Sequence, residues 1–229
     1  MSDRVVVITG AFGALGRVVA GAFAGQGDKV VRVDFAPSAP DENASGLDLP
    51  GVDLTKDEAP GQIVDQVLAK FGRLDVLINI AGGFAWETLR DGSIATWQRM
   101  FAMNVLTSAS MAKAALPALE KAPLAHIVNI GAGAAVKADA GMGAYAASKA
   151  GVHRLTEALA AELAGSNVTV NAILPSIIDT PTNRADMPDA DTATWVKAGA
   201  IADIVQFLTS PAARAISGAL IPVTRGSAN

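Results

Sequence analysis

Short runs of consecutive apolar residues alternate along the chain with longer segments in which apolar positions recur at helical spacing. The runs cover Val5 to Thr9, Val30 to Asp34, Gly46 to Asp53, Leu74 to Ile80, His126 to Ile130, Val168 to Leu174 and Ala219 to Val223. Between them the pattern predicts helices over about 14–25, 56–70, 94–118, 143–164 and 199–209. A strand that is apolar throughout must be covered on both faces, and a parallel pairing needs a crossover long enough to hold a helix. The predicted fold class is therefore α/β: a single-domain, Rossmann-type doubly wound parallel sheet of about seven strands, with helices on both faces, spanning residues 1–229. Two stretches interrupt the alternation. Ala36 to Ser45, rich in Pro, Ala, Ser, Asp and Asn, reads as an exposed loop. Residues 176–197 read as irregular and follow a strand end, where ligands bind in such sheets, so they are placed either as a substrate lid or as a plain connection.

Composition narrows the functions available. A chain of 229 residues with 51% hydrophobic content can bury a large core. A net charge of -4 provides no basic field for a phosphate backbone, so nucleic acid is not an expected partner. With no cysteine and two separated histidines, thiol chemistry and disulfides are excluded and no metal site is expected. No signal-peptide pattern opens the chain and no apolar run reaches membrane-spanning length, so the expected location is the cytoplasm, with no membrane partner.

The first strand runs into Gly10-Ala11-Phe12-Gly13-Ala14-Leu15-Gly16 and then a helix. Glycines permit a tight turn and let backbone approach a pyrophosphate, whose charge meets the free N–H groups of the helix N-terminus. The next strand ends at Asp34, where a carboxylate can accept hydrogen bonds from an adenosine ribose and repel a 2′-phosphate; a strand-end turn residue is the alternative. NAD(H) is therefore favoured, while Arg17 and Arg32 keep NADP(H) open, since either is a cation that could meet a 2′-phosphate. Asp53 and Leu54 are placed to flank an adenine, Asp53 having a helix-cap role as its alternative. The small residues Ala81 and Gly82 after Asn79 would let a flat cofactor lie against the strand ends.

Tyr145, the single tyrosine, stands four residues before Lys149, so both side chains share one helix face. An ammonium near a phenol lowers the phenol's pKa and makes it a proton donor or acceptor near neutrality.

The glycine turn, the Asn79-Ile80-Ala81-Gly82 segment and Tyr145-Ala146-Ala147-Ser148-Lys149, in this order, resemble the short-chain dehydrogenases and reductases over essentially the whole chain. The resemblance implies that Tyr145 is the general acid or base. Lys149 tunes it and binds the nicotinamide ribose, and Asn104 supports a proton relay. The segment from Pro175 through Ile178 to Thr180 lies against the nicotinamide, with Thr180 on its carboxamide. One departure bears on the substrate. The family's serine, thirteen residues before the tyrosine, polarises a substrate carbonyl; here that position is Ala132, and nothing from Ile130 to Ala144 carries a hydroxyl. Losing such a donor costs on the order of a hundredfold or more in carbonyl reduction.

Quinonoid dihydropteridine reductases resemble the chain in this respect and in others: the compact glycine turn, Ala81-Gly82-Gly83-Phe84, Gly141-Met142 before the tyrosine, and a lid similar to Asp179-Thr180-Pro181, Asn183-Arg184 and Met187-Pro188, with Trp195. Such enzymes reduce an activated C=N system with NADH, for which the tyrosine alone can supply the proton. The expectation is hydride transfer between NAD(H) and a C=N or C=O group of a small molecule. Phe84, Trp86 and Met142 are placed to stack on a planar substrate or to pack loops, and Arg184 to hold a polar or anionic group or to be solvated. His126 and His153 are expected to be structural or surface residues. Two alternatives stand: an ordinary alcohol dehydrogenase or ketoreductase in which a water or backbone N–H replaces the serine, and a non-catalytic NAD(H)-sensing module. The resemblance also implies a homodimer or homotetramer through the helices at 94–118 and 143–164, whose Ala109, Ala112, Ala115, Ala150, Gly151 and Ala158 permit close approach.

Overall fold

In a computed structural model describing residues 3–43 and 45–226, seven parallel strands form one sheet in the order β3-β2-β1-β4-β5-β6-β9. The strands are β1 (Val5–Thr9), β2 (Lys29–Val33), β3 (Leu47–Leu49), β4 (Val76–Asn79), β5 (Ala125–Ile130), β6 (Val168–Pro175) and, at the far edge, β9 (Leu220–Val223). Helices α1 (Ala14–Gly25), α2 (Ala59–Phe71), α3 (Ile94–Phe101), α4 (Thr107–Leu119) and α5 (Gly143–Glu162) connect them, and α7 (Ala198–Leu208) precedes β9.

The alternation of side chains along a strand explains why every position is apolar. Val5 and Val7 pack with Ile63, Val67, Met111 and Leu159 on the face covered by α2, α4 and α5. Val6 and Ile8 pack with Val19, Phe23, Ile201 and Val205 on the face covered by α1 and α7. The strand order reverses direction between β1 and β4, so a crevice opens beyond their carboxyl ends.

Two expectations are corrected. The helix expected over 94–118 divides: residues Ala102–Leu106 make a π-helical turn between α3 and α4. Residues 176–197 are ordered rather than irregular. They carry strands β7 (Ile178–Asp179) and β8 (Val196–Lys197), paired in parallel, with helix α6 (Pro181–Asp186) between them. Trp195, within this segment, is buried. Of the small residues expected to permit subunit approach, Ala112 and Ala115 face the core, and Gly151 packs on Val105 within the chain. No described helix is long and apolar enough to cross a membrane.

Candidate active site

A groove of about 730 Å³ lies in the crevice, lined by Gly10, Phe12 to Gly16, Asp34, Phe35, Asp53, Leu54, Ala81, Gly82, Met103 and Thr180, among others. The glycines of its turn serve different ends. Gly10 has φ 66°, and a Cβ there would come within 2.8 Å of the Ala81 backbone nitrogen. At Gly16 a Cβ would lie 2.1 Å from the Gly10 carbonyl oxygen, so β1 and α1 could not approach this closely. Gly13 is under no such pressure: its Cβ would meet only the Gly10 carbonyl, at 3.5 Å, and the space it leaves belongs to the groove. No side chain caps α1, leaving its first N–H groups free for an anion. These features fit a dinucleotide pyrophosphate.

On the side of the groove next to β2, Asp34 follows that strand and is fixed by two backbone donors, Phe12 N–H at 2.8 Å and Ala36 N–H at 2.9 Å. Asp53 accepts from the Thr55 hydroxyl at 2.6 Å and the Thr55 N–H at 3.0 Å, and those bonds hold its carboxyl below the usual carboxylate range. It closes a local turn instead of capping a helix, because α2 begins at Ala59. Leu54 is buried beside it.

The π turn brings Asn104 to the other end. Its side chain clamps Gly83, accepting from the Gly83 N–H at 3.0 Å and donating to the Gly83 carbonyl at 3.1 Å, and it donates to the Ser148 hydroxyl at 2.9 Å. A Cβ on Gly82 would collide with Asn104 Oδ1 at 2.4 Å and reach Lys149 Nζ at 3.5 Å, which places Asn104 and Lys149 together around Gly82. Lys149 is 7% exposed and donates to the Ile130 carbonyl at 2.8 Å. Burial lowers its pKa to about 8 and pushes that of Tyr145 up to about 12. The expected lowering of the phenol's pKa by the lysine is therefore not what the polypeptide alone produces: desolvation dominates, and the phenol is held protonated.

Phe84 meets Tyr145 edge to face, with ring centroids 5.0 Å apart. Trp86 packs flat space against Gly141, where φ is 78° and a Cβ would lie 2.2 Å from the indole. Met142 sits at the start of α5, next to that contact. Ala132 is buried, and its N–H donates to Nε2 of His153 at 3.4 Å. A Cβ on Gly131 would come within 2.6 Å of the same nitrogen. Lys149 and His153, one helical turn apart, thus grip the end of β5 from behind, and the Ala132 N–H is not free to take over the missing serine's role.

Several expected site residues are engaged within the fold, Thr180 while also lining the groove. Asn79 is buried in the sheet, donating to Asn129 at 2.9 Å, and its Oδ1 lacks a hydrogen-bond partner. Pro175 ends β6 in the core, and Ile178 pairs with Val196. The Thr180 hydroxyl caps α6, accepting from the Asn183 N–H at 3.1 Å. Arg184 is bound to Asp179, with Nη2 at 2.9 Å, and Lys197 joins the same carboxylate. Arg184 is thus an anchor of the 176–197 segment, not a free cation. Sequence reasoning did not find the clamp by His153, since contact between β5 and α5 at that point leaves no local pattern.

The family model described as short chain dehydrogenase matches residues 4–191. This chain belongs to the short-chain dehydrogenase family. A meso-2,3-butanediol dehydrogenase from Serratia marcescens is 32% identical over 238 residues, covering 98% of this chain and 94% of the relative. A 3-oxoacyl-[acyl-carrier-protein] reductase from Vibrio cholerae is 29% identical over 241 residues, covering 99% and 98%. Among solved structures, a 3-ketoacyl-(acyl-carrier-protein) reductase from Brucella melitensis complexed with NADH is similar with a TM-score of 0.86 and 27% identity, covering 96% of each chain. The protein is an NAD(P)-dependent short-chain oxidoreductase acting on a small molecule.

Proposed function

We propose that the protein uses NADH to reduce a C=N or C=O group in a planar, already electron-poor small molecule, with Tyr145 as the proton donor. The observation that carries this reading is a wall with no hydroxyl from Ile130 to Ala144 beside a phenol that has the Phe84 ring edge to face against it, burial keeping that phenol a proton donor. A carbonyl that needed a second donor would find none on that wall, and the Ala132 N–H is already engaged. An activated acceptor needs only the one proton.

A bound nicotinamide supplies the hydride. Tyr145 delivers its phenolic proton to the substrate heteroatom as negative charge develops there. Lys149, charged at pH 7 and buried near Gly82, stabilises the phenolate left on Tyr145 as that proton departs, and holds the adjoining ribose. Asn104 keeps Gly82 and Gly83 in place and, through Ser148, ties the π turn to α5. Phe84 and Trp86, both more than half exposed, offer flat apolar faces to a ring, with Met142 beside them. The segment at 176–197, pinned through Asp179, covers the site as a lid. The preference for NADH rests on Asp34, whose carboxylate, fixed by two backbone donors, lines the groove and would repel a 2′-phosphate. Phe101 and Leu106, nearly half exposed on α3 and the π turn, suit pairing with a second copy of the chain.

Quinonoid dihydropterin is the probe of choice for an activated C=N, following the motif resemblance around Gly10, Phe84 and Met142. A second reading is reduction of ordinary ketones, which the names of the Serratia and Vibrio relatives favour. Steady-state NADH oxidation with the pterin beside a panel of ketones and aldehydes separates them. Fast turnover of the pterin with weak ketone activity supports the first reading, and the reverse order overturns it.

A further inference from the structure

Arg17 and Arg32 were the two cations able to meet a 2′-phosphate, and the structure gives both to one carboxylate. Arg32 lies two residues before Asp34, so the two side chains leave the chain on the same side. Its guanidinium stands 5.7 Å from the centroid of the Phe12 ring, and Phe12 and Asp34 both line the groove. Yet Arg32 is occupied. Its Nε and Nη2 donate to the Asp48 carboxylate at 2.7 and 2.8 Å, its Nη1 donates to the Asp41 carboxylate, and its Nη2 also reaches the Asp41 carbonyl at 2.8 Å. Arg17, half exposed on the first turns of α1, has Nη2 3.8 Å from the other oxygen of Asp41. Asp48 is in turn bound by Asn43 at 2.9 Å, which fixes that side of the cluster.

Resting on the NADH reading above, we propose that Asp41 is a positioning residue for cofactor choice: it holds Arg17 and Arg32 away from the ribose and so reinforces the rejection of NADPH by Asp34. A guanidinium binds phosphate through its fork of N–H donors, and a fork already filled by carboxylates has little left to offer. Asp41 is the partner common to both arginines, and it lies in the loop beside the groove, while Asp48 is built into β3. Removing the Asp41 carboxylate leaves Arg32 attached to Asp48 on one edge, opens its Nη1, and frees the flexible side chain of Arg17.

The test is a fluorescence titration of NADH and NADPH into the wild-type protein, Asp41→Ala and Asp41→Asn. The wild type binds NADH more tightly. In both variants NADH affinity stays essentially unchanged while NADPH affinity rises about tenfold, the worth of one charge-assisted contact. That gain weakens as salt is added, because the contact is partly exposed. If the ratio of NADPH to NADH affinities is the same in the variants as in the wild type, Asp41 serves only the shape of its loop and the proposal is wrong. A wild type that binds the two equally overturns the NADH reading itself, independently of what the variants do.

Discussion

Lys149 makes the proposed site costly for the fold, and the cost is measurable. Its ammonium is buried, donates to the Ile130 carbonyl at 2.8 Å, and has a pKa lowered from 10.5 to about 8 by desolvation. The unfolded chain therefore binds this proton more tightly than the folded one, so stability is reduced below pH 8 and recovers as pH rises toward 10.5. At about 1.4 kcal/mol per pH unit, that gap corresponds to roughly 3 kcal/mol. Replacement Lys149→Met keeps a side chain of similar length without the charge. It also leaves the Ile130 carbonyl unpaired, at about 1–3 kcal/mol, but that loss is the same at every pH. The difference in unfolding free energy between Met and wild type should therefore shift by roughly 2–3 kcal/mol toward wild type between pH 7 and pH 10. Urea unfolding of the dinucleotide-free proteins at both pH values reads this difference directly, and NADH turnover by the variant should be lost. A stability difference independent of pH would refute the reasoning.

Two further predictions concern single positions. Ala132→Ser restores a hydroxyl on a strand end already gripped by Lys149 and His153, so kcat/KM for unactivated ketones should rise about tenfold or more, with little change for an activated C=N substrate; equal effects on both classes would contradict the account of Ala132. His126, buried against Thr169 at 2.8 Å, has a pKa lowered from 6.5 to about 4 by desolvation and by the nearby Arg4. Its neutral form is the folded one, so stability is full above pH 6.5 and falls by about 2 kcal/mol between pH 7 and pH 5, a slope that His126→Gln should remove in urea unfolding experiments.

The parts of the fold legible in the sequence were those in which one physical rule acts alone. β1 and α1 occupy Val5–Thr9 and Ala14–Gly25, as the apolar run and the helical spacing after the glycine turn require. The π turn at Ala102–Leu106 left no trace, because one added residue in a helix turn barely disturbs apolar periodicity, yet it is what aims Asn104 at Gly83. The lid read as irregular because its strands are two residues long and its order comes from distant partners, Asp179 with Lys197 and the buried Trp195. In the site, Asp34 and the glycines were readable from local geometry. The state of Tyr145 was not: spacing put it beside Lys149, but the balance between a neighbouring charge and burial depends on how much protein surrounds both, which only the folded chain decides. Likewise the pairing of Arg17 and Arg32 with Asp41 joins a helix, a strand and a loop that sequence spacing does not relate.

The central claim is that Tyr145 supplies the proton. The measurement that tests it most directly is steady-state NADH oxidation by wild type and Tyr145→Phe on whichever acceptor the wild type reduces fastest, together with NADH affinity for both. The account predicts that turnover falls by about a hundredfold or more, while NADH affinity stays close to wild type because the phenol does not line the groove proposed to hold the dinucleotide. Turnover preserved in Tyr145→Phe would contradict it.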